Sequence, residues 1–438
     1  MQAVYSNAAC TIAATAAESS DKGLFFDRDP WLVRPRVLTP TWSTNGQFND
    51  ESPLKYPLAG KYWCDHDTIW MQCVEYAPLN KRGWVFQERH LSRRIMHFTK
   101  SQLFWECHEC KASENYPVSM PSWAGLTHVG LDPTPLKTKV NQLRRRTECN
   151  SVSLTDSLRS EVIPDSKIIT HEKLQDLYLD WVYWREEYSR SLVTKDEDKL
   201  AAIQGIAQDV GQILGDRLLW GMWKNRLLED LCFWTRPDSG GTVPTPFRKL
   251  TAPSWSWAST NQRISASDLT CRRLVGGARL RHPVTYLAEL SGLDSSTALV
   301  GEPLSVMLHI NCNLICATAT WDLLSSSEAV KIEYGVQAVS CLTGLTFLHT
   351  DTHMETDDDD IELDNWFIDK DHRSTTVYMV VVRRCSVGYD MAEVLLLVRR
   401  PVPEQTFERI GFFAIEGDPW HQLLAEHDAS ERQTIILI

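Results

Sequence analysis

Chemistry-bearing side chains are most concentrated between Arg82 and Cys107, in the run RGWVFQERHLSRRIMHFTKSQLFWEC. Glu88 is a carboxylate that could act as a general base or hold a sugar hydroxyl, given a cleft and a tuned proton affinity. Arg82 and Arg89 could hold an anion, His97 could move a proton, and Glu106 is a second carboxylate beside Trp105. Each also has a plainer use. Glu88 paired with an arginine would fix a helix against the segment that follows. His97 on an alternating strand reads as a satisfied interior histidine, and Glu106 as an anchor for local backbone or an arginine. Spacing alone brings no two of these groups within reaction distance, so the structural use is the one we adopt.

Other reactive groups are thinly spread. Cys107 and Cys110 form a C-x-x-C with His108 between them, and Cys64 and His66 lie upstream. A zinc site needs four placed ligands, but there is no second C-x-x-C, and Cys312 and Cys316 are spaced differently. A redox pair is the other use of such a motif. Twelve cysteines scattered over 438 residues make no dense disulfide framework, and reduced thiols without a shared task are the simpler reading. The acidic run from Asp351 to Asp364, DTHMETDDDDIELD, lacks the glycine turn and staggered ligands of a calcium loop and reads as an exposed loop. No nucleophile elbow, P-loop, H-E-x-x-H or G-x-G-x-x-G fingerprint occurs. The sequence therefore points to no metal and no cofactor.

The elements that would position these groups can be read from periodicity. Arg82 to Leu91 suits a short helix with Trp84, Glu88 and Leu91 on one side. RRIMHFT and QLFWEC read as strands joined at TKSQ, with apolar groups on both faces, as in a covered sheet. Upstream, the alanine-rich residues 3–17 suit a helix, Asp29-Pro30 a turn, and VRPRVL a short strand. Downstream, THEKLQDLYLDWVYWREEYSR carries an apolar helical stripe behind an N-cap at Thr170. TKDEDKLAAIQGIAQDVGQIL repeats the pattern, with Thr194 and Glu197 as a capping box. Gly211 and Gly215 suit close helix packing or termination. A third helix is expected over Leu218 to Trp234. After APSWSWAST the chain turns to strands: LSVMLHI, TVYMVVV, EVLLLVRR and RIGFFAI.

The length suggests roughly two or three domains, and 17 tryptophans suggest well-packed cores. A net charge of -12, from 45 basic and 57 acidic residues, disfavours nonspecific binding to nucleic acid or anionic membrane. Arg144 to Arg146 is too short a basic run to reverse that. The apolar runs fall short of a membrane span, and the N-terminus has no basic leader before its small apolar residues. A cytoplasmic protein is expected.

The Arg82–Cys107 block resembles the closing block of the fungal heterokaryon incompatibility (HET) domain. The resemblance is carried by Arg82, Gly83, Trp84, Gln87, Glu88, Arg89, Leu91, Ser92, His97, Phe98, Trp105, Glu106 and Cys107. VYSNAACTIAAT, followed by GLFFDRDP, resembles the middle block of that domain through Tyr5, Ala8, Thr11, Ile12, Ala13 and Ala14. KLAAIQGIAQDV, LLWGMWKNRLLEDLCFW and APSWSWAS look like downstream segments of long proteins of this family.

The resemblance implies a fungal protein of non-self recognition that triggers incompatibility and cell death, with a protein partner or self-association. A distant likeness of the family to Toll-type receptor domains, some of which cleave NAD, implies an NAD glycohydrolase as the alternative, with Glu88 as candidate catalytic carboxylate. A non-enzymatic interaction module is the third reading. The opening blocks of the domain have no counterpart here, so a fragment is expected, one that triggers cell death in full-length form and is inactive here through truncation. The expected architecture is α/β over an incomplete HET-like domain at 1–110, a mixed and mostly helical region at 111–250, and a β-rich region at 251–438.

Overall fold

The computed structural model describes residues 1–39, 62–64, 68–121, 140, 142–143, 170–236, 252–260, 263–266, 284–295, 306–322, 329–334, 337–340, 347–350, 374–385, 391–401, 405–416 and 418–438. His66, Arg144 to Arg146 and the acidic run 351–364 lie outside the described residues. The chain divides into two compact units, Met1–Arg145 and Arg146–Ile438. Among the described residues no helix is long and apolar enough to cross a membrane.

In the first unit, helix α1 (Gln2–Asn7) is followed by strand β1 (Thr11–Ala13). The helix expected over 3–17 therefore stops early. Thr11 and Ile12 pair in parallel with Ile95 and Met96, and the ladder overrides a weak local helical preference. Helix α2 (Pro30–Val33) begins at the Asp29-Pro30 turn, where the Trp31 N–H donates to Asp29 Oδ1 at 2.9 Å. Strands β2 (Arg36–Leu38) and β3 (Tyr62–Cys64) pair antiparallel.

Helix α3 (Gly83–Leu91) then leads into a hairpin of β4 (Arg94–Phe98) and β5 (Leu103–Cys107), with β6 (Lys111–Ser113) alongside in the order β1-β4-β5-β6. Ser92 ends α3, its hydroxyl donating to the Glu88 carbonyl at 2.7 Å. Thr99 closes the hairpin: its Oγ1 donates to the Gln102 carbonyl at 2.6 Å and accepts the Gln102 N–H at 3.3 Å. The strand alternation is sharp. Ile95, His97, Phe104 and Glu106 are buried, whereas Met96, Phe98, Leu103 and Trp105 on the other face are half-buried. Helix α3 buries Gly83, Val85, Gln87 and Leu91, so only Leu91 of the expected Trp84–Glu88–Leu91 side is fully buried.

In the second unit, the helix His171–Ser189 starts at Thr170, whose Oγ1 accepts the Lys173 N–H at 3.4 Å. It buries Leu177, Tyr178, Trp181, Trp184 and Tyr188. The next expected helix is split into Asp198–Ala201 and Gln204–Leu214. Thr194 does not cap it; Glu197 stands at the cap without a side-chain bond. The break falls at Ala202 and Ile203, which are fully packed into the core. Gly215 ends the second piece in the left-handed region at φ 66, where glycine carries no steric penalty.

The helix expected over Leu218 to Trp234 does not form. A two-residue turn at Trp220 (φ 48) and Gly221 (φ 86) joins strands β7 (Leu218–Leu219) and β8 (Met222–Trp223). A short helix, Leu227–Asp230, and strand β9 (Phe233–Arg236) follow. A Cβ at Gly221 would lie 2.5 Å from Trp257 Nε1, and that close approach fixes the turn.

Strand β9 pairs with β10 (Arg263–Ala266). A ten-stranded sheet follows, made of β11 (Val284–Tyr286), β12 (Glu289–Ser295), β13 (Val306–Asp322), β14 (Ala329–Tyr334), β15 (Gln337–Ser340), β16 (Phe347–Thr350), β17 (Ser374–Cys385), β18 (Met391–Arg399), β19 (Thr406–Glu416) and β20 (Arg432–Leu437). The four expected strand segments fall in β13, β17, β18 and β19. Strand β13 pairs with β20 over its first half and with β17 over its second. β17, β18, β19 and β20 are also paired in succession, so these five strands form a closed ring. Alternate residues such as Val377, Met379 and Val381, with Ala392, Val394 and Leu396, share one core cluster with Leu423 of the helix Asp418–Ala429.

Candidate functional site

The polar centre of the first unit is built around Arg89, in the last turn of α3. Its Nη1 and Nη2 donate to the two oxygens of Glu75 at 2.6 and 2.9 Å, and its Nε donates to Glu106 Oε2 at 2.8 Å. Glu75 ends the π-helical turn Met71–Glu75, and the buried Trp70 indole N–H donates to its Oε1 at 2.6 Å. Glu106 Oε2 also lies 3.1 Å from His97 Nε2, and His97 Nδ1 lies 3.0 Å from Thr15 Oγ1. Lys111 stands opposite Glu106 in the β5–β6 ladder, its ammonium 4.5 Å from the centre of the Trp70 ring.

Two carboxylates, Glu75 and Glu106, and two basic side chains, Arg89 and Lys111, meet here beside His97. Burial alone would raise the Glu75 carboxyl. The charge and hydrogen bonds of Arg89, aided by Lys111, outweigh it and hold Glu75 down at about 2. Burial would lower Arg89, but Glu106 and Glu75 push its guanidinium up instead. Burial lowers the Lys111 ammonium, and Glu75 and Glu106 only partly offset that. A planar guanidinium suits this position because it forks onto one carboxylate and still has Nε for another, which an ammonium cannot do.

Thr15, His97 and Glu106 follow the order hydroxyl, imidazole, carboxylate, the order of a nucleophile relay. Accessibility argues against that use: Thr15 is 0% and His97 1% exposed. A nucleophile must reach its substrate, and this hydroxyl faces only protein; it also lies 3.3 Å from the Ala13 carbonyl. Glu75, held at about 2, is a weaker base than a free carboxylate. The arrangement fixes a helix, a turn and a hairpin to one another.

Arg89, His97 and Glu106 of the sequence candidates are thus brought together, and Arg82 and Glu88 lie elsewhere. Arg82 is exposed at the start of α3. Glu88 is half-buried, and its side chain hydrogen-bonds Tyr5 of α1. Among the described residues no arginine pairs with Glu88; Arg89, one residue on, ties the helix to the hairpin. Burial first, then the hydrogen bond and charge of Glu88, push the Tyr5 phenol up to about 12.

Thr15, Trp70, Glu75 and Lys111 were not singled out from the sequence. Lys111 had a signal: it and Glu106 flank the Cys107–Cys110 turn symmetrically, as cross-strand partners do. Among the described residues no group of three or more His, Cys, Asp or Glu could hold a metal ion.

No curated protein and no solved structure matches the chain. Thr15, Trp70 and Glu75 lie within a family match that stops one position before Arg89: residues 1–88 match the family Heterokaryon incompatibility protein (HET).

Proposed function

We propose that the protein acts in fungal non-self recognition, as an incompatibility signalling protein able to trigger cell death. The observation that carries this reading is the HET match over residues 1–88. In this reading the protein works in the cytoplasm, through a protein partner or a second copy of itself.

Inducible expression in a filamentous fungus, with and without the coding sequence upstream of Met1, tests the proposal. The expected result is loss of viability on induction of the extended form, weakened by Arg89→Met in step with its loss of folded protein. Normal growth of cells that accumulate the folded extended form would overturn it.

A further inference from the structure

The turn between β5 and β6 brings the Cys107 and Cys110 sulfurs to 3.8 Å. Both residues are half-buried, so solvent reaches them, and both are free thiols. The Cys107 N–H donates to the Cys110 carbonyl at 3.0 Å, which holds the turn closed. The backbone N–H groups of Glu109 and Cys110 both point at Cys107 Sγ, each at 3.4 Å. Donors converging on one sulfur favour its anionic form.

The neighbouring residues on either side, Glu106 and Lys111, belong to the charge cluster and stand opposite each other in the ladder. The sulfur pair therefore sits on a braced turn. A zinc site would need further ligands, and among the described residues none gathers here.

We propose that Cys107 and Cys110 form a redox-active dithiol that exchanges with low-molecular-weight disulfides of the glutathione class, Cys107 attacking and Cys110 resolving. The Cys107 thiolate attacks one sulfur of the small disulfide; that S–S bond breaks and a small thiolate leaves. The Cys110 thiol then loses its proton to this thiolate and attacks Cys107 Sγ, expelling the second small thiolate. The two cysteines are oxidised to one disulfide, and the small disulfide is reduced to a thiol and a thiolate. The sulfurs must approach by less than ~2 Å.

The division of labour follows from the surroundings. Burial would raise the Cys107 thiol, but the Glu109 and Cys110 N–H groups, the Trp105 side chain and the Cys110 thiol outweigh it and bring it down. Cys110 is pushed up by burial and by Cys107. Burial likewise pushes up Cys73, Cys232 and Cys312.

The test uses the reduced full chain, limited iodoacetamide labelling, and non-reducing peptide mass spectrometry after treatment with glutathione disulfide. Cys107 should label several-fold faster than Cys110 and than the exposed Cys10 and Cys316. Glutathione disulfide should convert the 107–110 peptide to its internal disulfide, and Cys110→Ser should stop at a Cys107–glutathione mixed disulfide. Labelling of Cys107 no faster than Cys10 would overturn the proposal. So would a 107–110 peptide left as free thiols in a chain of native circular dichroism. Both readings come from the unsubstituted protein, so a variant that fails to fold does not weaken the test.

Discussion

Arg89 Nε lies 2.8 Å from Glu106 Oε2, while the other two nitrogens of the same guanidinium hold both oxygens of Glu75. One side chain thus ties the last turn of α3 to the second strand of the hairpin and to the turn after Trp70. The Arg89 side chain is 12% and that of Glu106 6% exposed. At such burial, removing one partner of a pair typically costs about 3–5 kcal/mol, because a charge is left without compensation.

The first prediction concerns acid. Glu75 titrates near 4.5 when free and near 2 in the fold. A carboxyl depressed by folding stabilises the protein above its unfolded value, and that contribution fades as pH falls from about 4.5 towards 2. Its size is on the order of 3 kcal/mol at most. Urea unfolding of Glu75→Gln should show lower stability at pH 7 and a flatter decline between pH 4.5 and pH 3 than the unsubstituted chain. Parallel declines would show that Glu75 is not the titrating group.

Glu88 and Tyr5 give a second prediction. Folding raises the Tyr5 phenol to about 12, so its contribution is intact below about pH 10 and is lost as pH rises through 12. Glu88→Gln should lower the Tyr5 titration, seen as a tyrosinate absorbance difference, without returning it to the ordinary value, since burial is the larger cause. Stability at pH 7 should change by less than about 1 kcal/mol. An unmoved titration would contradict the Tyr5–Glu88 bond.

Two glycines of the second unit separate backbone strain from crowding. Gly215 and Gly221 both have positive φ, but a Cβ at Gly215 meets nothing within 4 Å, whereas at Gly221 it would lie 2.5 Å from Trp257 Nε1. Gly215→Ala should cost about 1 kcal/mol. Gly221→Ala should cost clearly more, about 2–4 kcal/mol, because Trp257 must move and its bond to the Gly221 carbonyl, 2.9 Å, is disturbed. Equal losses in thermal or urea unfolding would contradict this view of the turn.

Much of the fold was legible where one signal dominated. The hairpin showed in the alternation around His97 and Phe104, the helix His171–Ser189 in its stripe and Thr170 cap, and β13, β17, β18 and β19 in their apolar runs. Expectations failed where distant residues decide. Thr11 and Ile12 form a strand because β4 lies beside them, and Leu218 to Trp234 is broken by a turn that Trp257 holds from outside the segment. The HET resemblance of the first residues is matched by the family over 1–88. For the polar centre, the ionisable residues of α3 and the hairpin were visible locally. Thr15 and Glu75 were not, since neither spacing nor composition shows that they converge on Arg89 and His97.

The clamp is tested most directly by a double-mutant cycle across Arg89 and Glu106, read by urea unfolding of the full chain at pH 7. Arg89→Met should cost about 3 kcal/mol or more, because it strands two carboxylates. Glu106→Gln should cost less, since Arg89 keeps Glu75. The double variant should fall short of the sum by about 1–3 kcal/mol. Losses that add to within about 0.5 kcal/mol, with Arg89→Met costing under about 1 kcal/mol, would contradict a structural clamp and return the Arg82–Cys107 block to consideration as a site of chemistry.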